Sequence, residues 1–128
     1  MVKVIQTDTA PGAIGPYSQA VKVGEFVYTS GQIALTPEGE MVEGDIELQT
    51  AQVMRNLKAI LEAAGSSLQQ VIKTTIFLAD MDDFARVNAV YEKWLDGHRP
   101  ARSTVAVRTL PKNARVEIDC VALTEDRR

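Results

Sequence analysis

Residues 70–79, QVIKTTIFLA, decide the fold. Ile72 and Ile76 on one side and Val71 and Phe77 on the other make both faces of an extended segment apolar. Valine, isoleucine and threonine dominate it, which predicts a strand inside a sheet. On either side lies a stretch of helical period. Upstream, Val53, Leu57, Ile60 and Ala64 recur at helical spacing, with Lys58 and Glu62 paired on the wet side. Asp45 suits the N-cap of that helix, and Gly65 can end it in the left-handed conformation. Downstream, Asp80 to Asp83 load a first turn with negative charge. Phe84, Val87, Tyr91 and Trp94 form the apolar stripe of this second helix, and Gly97 stops it.

Working outward, VKVIQT (2–7) reads as a first strand and APGAIGP (10–16) as a loop punctuated by glycine and proline. YSQAVKVGEFVYTSGQIA (17–34) reads as a hairpin turning at Gly24-Glu25, where a Gly-X pair suits a type II′ turn. LTPEGEMVEG (35–44) is a loop, and STVAVRTL (103–110) and RVEIDCVAL (115–123) are the last strands. The order β-β-β-α-β-α-β-β predicts an α+β sheet with two helices on one face. Phe26 and Tyr28 against Val27 and Ile33 show the same two-sided apolarity as residues 70–79. Two helices cover one face only, so a second copy of the chain is expected on the other.

The 128 residues suit one domain, 1–128, with no repeat, linker or low-complexity segment. A net charge of −3 argues against a surface built for nucleic-acid phosphates or anionic lipid. One cysteine, Cys120, excludes an internal disulfide framework and fits a reducing compartment. MVKVIQTDTA lacks the apolar core of a secretory signal, and no apolar run is long enough to cross a bilayer. The expected location is the cytoplasm.

GxGxxG, P-loop and HExxH motifs are absent, and His98 with Cys120 cannot assemble a zinc site. Cys120 shares a strand face with Val116 and Ile118 and reads as a core thiol; His98 reads as a surface loop residue. Arg102 has two open roles, a surface ion pair or a planar fork for a carboxylate in a cleft. Glu117, on one strand face with Asp119, Val121 and Leu123, is a site carboxylate or merely solvates an edge strand. Asn88 interrupts the apolar stripe between Phe84 and Tyr91 and needs partners there, as a structural clamp or as part of a site. Ser30-Gly31 offers a hydroxyl and unshielded backbone, or is a simple bulge. Tyr17 is a site residue or a core tyrosine at a strand start.

The ordered segments APGAIGPYSQAV, TSGQI, NLKAILEAAG, VIKTTIFLADMDDFARVNAVYE, PARSTV and LPKNARVEID resemble, over nearly the whole chain, the RidA-type (YjgF-like) imine and enamine deaminases. The resemblance implies a chorismate-mutase-like α+β fold and a homotrimer with sites in the clefts between subunits. The implied reaction is hydrolysis of 2-imino and 2-enamino acids, such as 2-aminoacrylate and 2-aminocrotonate, to 2-oxo acids and ammonia. Pyridoxal-phosphate dehydratases acting on serine and threonine would release these substrates. In that scheme Arg102 holds the substrate carboxylate, and Glu117 orients or deprotonates water and helps ammonia leave. Backbone groups of Gly31 and Thr104 hold the substrate, Ser30 lines the pocket, Tyr17 covers it from the neighbouring subunit and Asn88 braces its wall. No metal, nucleotide or pyridoxal phosphate is implied.

Some members carry cysteine where Thr104 stands, Asp119 occupies a position where glutamate is frequent, and the LDGHRPAR loop is short for the family. Other members of the family are described as translation inhibitors with ribonuclease activity, as chaperone-like proteins or as small-molecule sensors. A sensor of 2-oxo acids would need Arg102 but could dispense with Glu117, so the presence of Glu117 favours catalysis.

Overall fold

The computed structural model describes residues 1–124. Six strands form one mixed sheet: β1 (Val2–Ile5), β2 (Ala20–Val23), β3 (Phe26–Thr29), β4 (Val71–Leu78), β5 (Ala101–Ala106) and β6 (Val116–Leu123). Their spatial order is β1-β2-β3-β6-β4-β5, with only the β4–β5 pair parallel. Helices α1 (Ile46–Ala63) and α2 (Phe84–Leu95) cover one face. The parallel pair follows from the crossover through α2; of the antiparallel pairs, β2–β3 is a tight hairpin, while β6 meets β3 and β4 by long-range pairing.

The expected caps are present. The Asp45 side chain accepts the Leu48 N–H at 3.0 Å, and α1 ends with Ser66 N–H donating to Leu61 O at 2.8 Å around Gly65, whose φ is +82°. Lys58 and Glu62 form their i,i+4 pair at 3.8 Å. In the β2–β3 hairpin Gly24 has φ +58° while Glu25 stays at negative φ, as a type II′ turn requires. The end of α2 departs by one residue, because Asp96 itself adopts the left-handed conformation ahead of Gly97. The α2 stripe also includes Leu95, which is buried, while Phe84 and Trp94 are only partly covered.

The face assignment of β4 needs correction. A bulge between Val71 and Lys73 shifts the register, so Val71, Thr74, Ile76 and Leu78 face the helices while Ile72 is extruded and exposed. Strict alternation had paired Ile72 with Ile76. Below the helices, Val27, Ala122 and Val71 lie side by side across three strands, next to Ile76, Ile118 and Leu57. On the other face Val2, Val4, Val23, Phe26, Tyr28 and Val105 are exposed, so the apolar surface expected opposite the helices is there. No helix among the described residues is long and apolar enough to cross a membrane.

Cys120 lies on the helix side of β6, 3 % exposed, with the Thr29 hydroxyl 3.9 Å from its sulfur. Burial pushes the thiol up to about 12. The native protein should therefore resist a maleimide at neutral pH and react fully once unfolded in guanidinium. Rapid labelling of the native chain, read by mass spectrometry, would contradict this burial.

Candidate active site

Strand β6 is hydrogen-bonded on both sides, to β3 and β4, so Glu117 is not the solvating residue of an edge strand. Its neighbours Val116 and Ile118 are fully buried, and alternation turns Glu117 to the open face opposite Phe77. Next to it β3 gains a residue. Tyr28 pairs with Val121 but Gln32 pairs with Ile118, where an unbroken register would have placed residue 31. The bulge therefore falls at residues 29–31, and the Thr29 hydroxyl takes the Cys120 N–H at 3.0 Å. Gln32 and Ile118 exchange backbone hydrogen bonds at 2.9 and 3.1 Å, which closes the bulge on its far side.

The Glu117 carboxyl lies against Gly31. A Cβ there would stand 2.8 Å from Glu117 Cδ and would overlap a carboxylate oxygen. Gly31 does not have positive φ, so glycine is needed here for close approach and not for a turn. Ser30 donates its hydroxyl to Ser18 O at 2.5 Å, which leaves its oxygen free to accept. The Tyr17 hydroxyl accepts the Ile14 N–H at 3.3 Å and keeps its own proton to donate. Tyr17 is 54 % exposed, so it is not a core tyrosine. Tyr17, Ser30, Gly31 and Glu117 line one open cavity of about 640 Å³. Gln19, 3 % exposed, ties the preceding loop to this wall by donating to Pro11 O at 2.7 Å and accepting the Thr7 N–H at 2.7 Å.

Asp119 lines the same cavity. Burial raises the proton affinity of Glu117, and the Asp119 charge raises it further. Asp119 is raised by burial too, partly offset by Lys73. Two half-buried carboxyls of raised pKa can take and return protons nearer neutrality than free carboxylates. The i, i+2 spacing of Glu117 and Asp119 was the signal for the second group, and the sequence reading gave it no role.

Arg102 stands elsewhere. It is on edge strand β5 opposite Thr74, whose side chain faces the helices and bonds the Tyr91 hydroxyl at 2.7 Å. The guanidinium stacks over Phe84 at 5.4 Å and Tyr91 at 5.2 Å and donates from Nη1 to Asn88 Oδ1 at 2.5 Å. Asn88 is thus half-buried, not enclosed in the apolar stripe, and its partner is Arg102. These two residues line a second cavity of about 380 Å³ beside His98, whose Nε2 lies 2.6 Å from Val71 O. Thr104 faces the same way as Arg102 across from Ile76; its hydroxyl is buried without a partner and lines neither cavity. Within one chain Arg102 and Glu117 leave opposite faces of the sheet. Among the described residues no three His, Cys, Asp or Glu side chains converge as metal ligands.

Comparison with known proteins identifies the family. A sequence profile of the family described as Endoribonuclease L-PSP matches residues 7–124. A mouse protein named 2-iminobutanoate/2-iminopropanoate deaminase is 48 % identical over 122 residues, spanning 94 % of this chain and 90 % of its own length. A Salmonella typhimurium protein of the same name is 47 % identical over 126 residues, spanning 96 % and 98 %. The solved structure of the E. coli YjgF gene product superposes with a TM-score of 0.90 at 46 % identity, covering 94 % of this chain and 98 % of that one. The family description names a nuclease and the two relatives a deaminase, so shared descent is firmer than shared chemistry. With a match over nearly its full length in sequence and in fold, the chain belongs to the Endoribonuclease L-PSP family, the YjgF/RidA family.

Proposed function

We propose that this protein is a cytoplasmic enzyme that hydrolyses 2-imino and 2-enamino acids to 2-oxo acids and ammonia. Its single domain would act as a homotrimer without metal or organic cofactor. The observation that carries this reading is the Glu117 carboxyl, half-buried, raised in proton affinity and seated against the bare backbone of Gly31. The names of the mouse and Salmonella relatives support it. RNA fits this cavity poorly, because Glu117 and Asp119 would repel phosphates and the chain carries a net charge of −3.

In the proposed site Arg102 of one subunit holds the substrate carboxylate and Glu117 of the next faces C2, which resolves their placement on opposite faces of one chain. Arg102 is suited to this because the Phe84 and Tyr91 rings and Asn88 already hold its fork. An enamino acid first tautomerises to the imine, C3 taking a proton from solvent and nitrogen releasing one. The water oxygen then bonds C2 as one water proton passes to Glu117, and the C=N electron pair returns to nitrogen, which takes a proton from solvent. Glu117 then gives its proton to nitrogen and the C–N bond breaks. The C2 hydroxyl loses its proton to solvent as the carbonyl forms, and ammonia leaves. Tyr17 and Ser30 line the cavity, and the backbones of Gly31 and Thr104 are the proposed substrate contacts. Pyridoxal-phosphate dehydratases acting on serine and threonine are the class of enzyme that would supply such substrates.

The assembly is checked first. Sedimentation at micromolar concentration should return the mass of three chains, because Phe26, Tyr28 and their neighbours leave an apolar face to cover. A single-chain mass would remove the site proposed between subunits.

Division of labour is checked with 2-aminocrotonate made in situ by a dehydratase, its lifetime followed by semicarbazide trapping. Glu117→Gln should bind 2-oxobutanoate nearly normally and turn over on the order of a hundredfold more slowly. Arg102→Ala should weaken 2-oxobutanoate by about tenfold to a hundredfold, and Arg102→Lys by less. Full activity in Glu117→Gln, or unchanged product binding in Arg102→Ala, refutes the corresponding role.

Gly31→Ala separates site geometry from folding. The new methyl meets the movable end of a side chain, not backbone, so the melting temperature should stay near the parent's. Displacement of the Glu117 carboxyl should cost up to about a hundredfold in kcat/KM. An active Gly31→Ala variant would show that the carboxyl need not lie against Gly31.

A further inference from the structure

Behind the Glu117 cavity, helix α1 turns polar groups inward. Asn56 is fully enclosed, at 0 % exposure. Its Nδ2 donates to Ile33 O at 3.2 Å and to Leu35 O at 2.9 Å, and its Oδ1 accepts from Gln52 Nε2 at 2.9 Å. Gln52 in turn accepts from Arg55 Nη1 at 3.0 Å, and the Arg55 guanidinium rests 5.7 Å from the Trp94 ring. Ile33 and Leu35 line the cavity that holds Glu117, while Ala34 between them is buried in the core. The segment is bent sharply there, since Leu35 N–H donates to Ile33 O at 2.8 Å. This wall is tied to the sheet through Gln32 and Ile118 and to the helix through Asn56.

We propose that Asn56 is a positioning residue of this cavity: by holding the carbonyls of Ile33 and Leu35 it sets how far the apolar wall stands from Glu117, and so the size of substrate side chain the site accepts. The inference rests on the imine-hydrolase reading. Without the amide, Leu35 O loses its side-chain donor and Ile33 O keeps only the Leu35 N–H of the bend, so the segment relaxes to find other partners. A substrate with a methyl side chain does not need the wall. A 2-imino acid with a branched apolar side chain packs against Ile33 and Leu35 and is sensitive to their position.

The test compares Asn56→Ala with the parent on 2-iminopropanoate and 2-imino-4-methylpentanoate, each made in situ from its amino acid by an oxidase. Binding of the products, pyruvate and 4-methyl-2-oxopentanoate, is followed by calorimetry. For the branched compounds KM and product Kd should rise about tenfold, with less than about twofold change for the small ones and little change in kcat for either. Thr50→Val is the control, since Thr50 is equally buried on α1 but bonds only Ile46 O of its own helix. An equal effect on both substrates, or the same pattern in Thr50→Val at matched loss of melting temperature, overturns the inference. If Asn56→Ala does not fold, Gln52→Met, which keeps the Asn56 donors but frees their orientation, must show the same selective shift in smaller measure; its absence overturns it too. Should the parent hydrolyse neither imine while Asn56→Ala still selectively weakens the branched product, the role of Asn56 stands and the imine-hydrolase reading falls.

Discussion

The double pairing of β6 is the constraint on which the rest depends. Held between β3 and β4, this strand cannot slip by one residue without moving Val116, Ile118, Cys120 and Ala122 out of the core and Glu117 and Asp119 into it. Core and site carboxyls are therefore specified by one alternation. The bulge at residues 29–31 depends on the same register, because it is defined against Ile118 and lays Gly31 on Glu117.

Desolvation links the fold to the chemistry. The surroundings that half-bury Glu117 and Asp119 also raise their proton affinity, and the two charges on one strand face reinforce the effect at Glu117. No ion pair relieves either group within salt-bridge distance among the described residues. By contrast, Arg86 is satisfied bidentately by Glu47 on the helix side, at 2.7 and 2.6 Å, and Arg115 by Asp83. Structural charges are neutralised here, and the cavity carboxyls are left available.

Arg102 belongs to a different physical setting. It lies on edge strand β5 and is fixed by aromatic faces and one amide, with its remaining donors uncommitted. One chain thus carries two separate groups of candidate site residues, one acidic on the open face and one cationic at the edge, beside an exposed apolar sheet face. The proposed trimer would join the two groups and bury the apolar face together.

Much of this was legible in the sequence, because it depends on residues near one another in the chain. Strand and helix order, the Asp45 cap, the Gly65 terminus, the Gly24 turn and the burial of Cys120 all follow from period, capping chemistry and turn preference. Arg102 and Glu117 could be singled out as residue types, and the family resemblance gave them roles. Their placement on opposite faces follows from which strands pair and in what register, which no local pattern encodes. The same holds for the bulge that extrudes Ile72, invisible in a run that is apolar on both faces, and for the bulge that makes Gly31 a seat for Glu117. Asn56 went unnoticed because an asparagine within a helical stretch gives no sign of what it faces. Only packing brings the Ile33 and Leu35 carbonyls, more than twenty residues earlier in the chain, onto its amide. Local energetics chose the elements; long-range hydrogen bonding and exclusion of water decided which of their side chains meet.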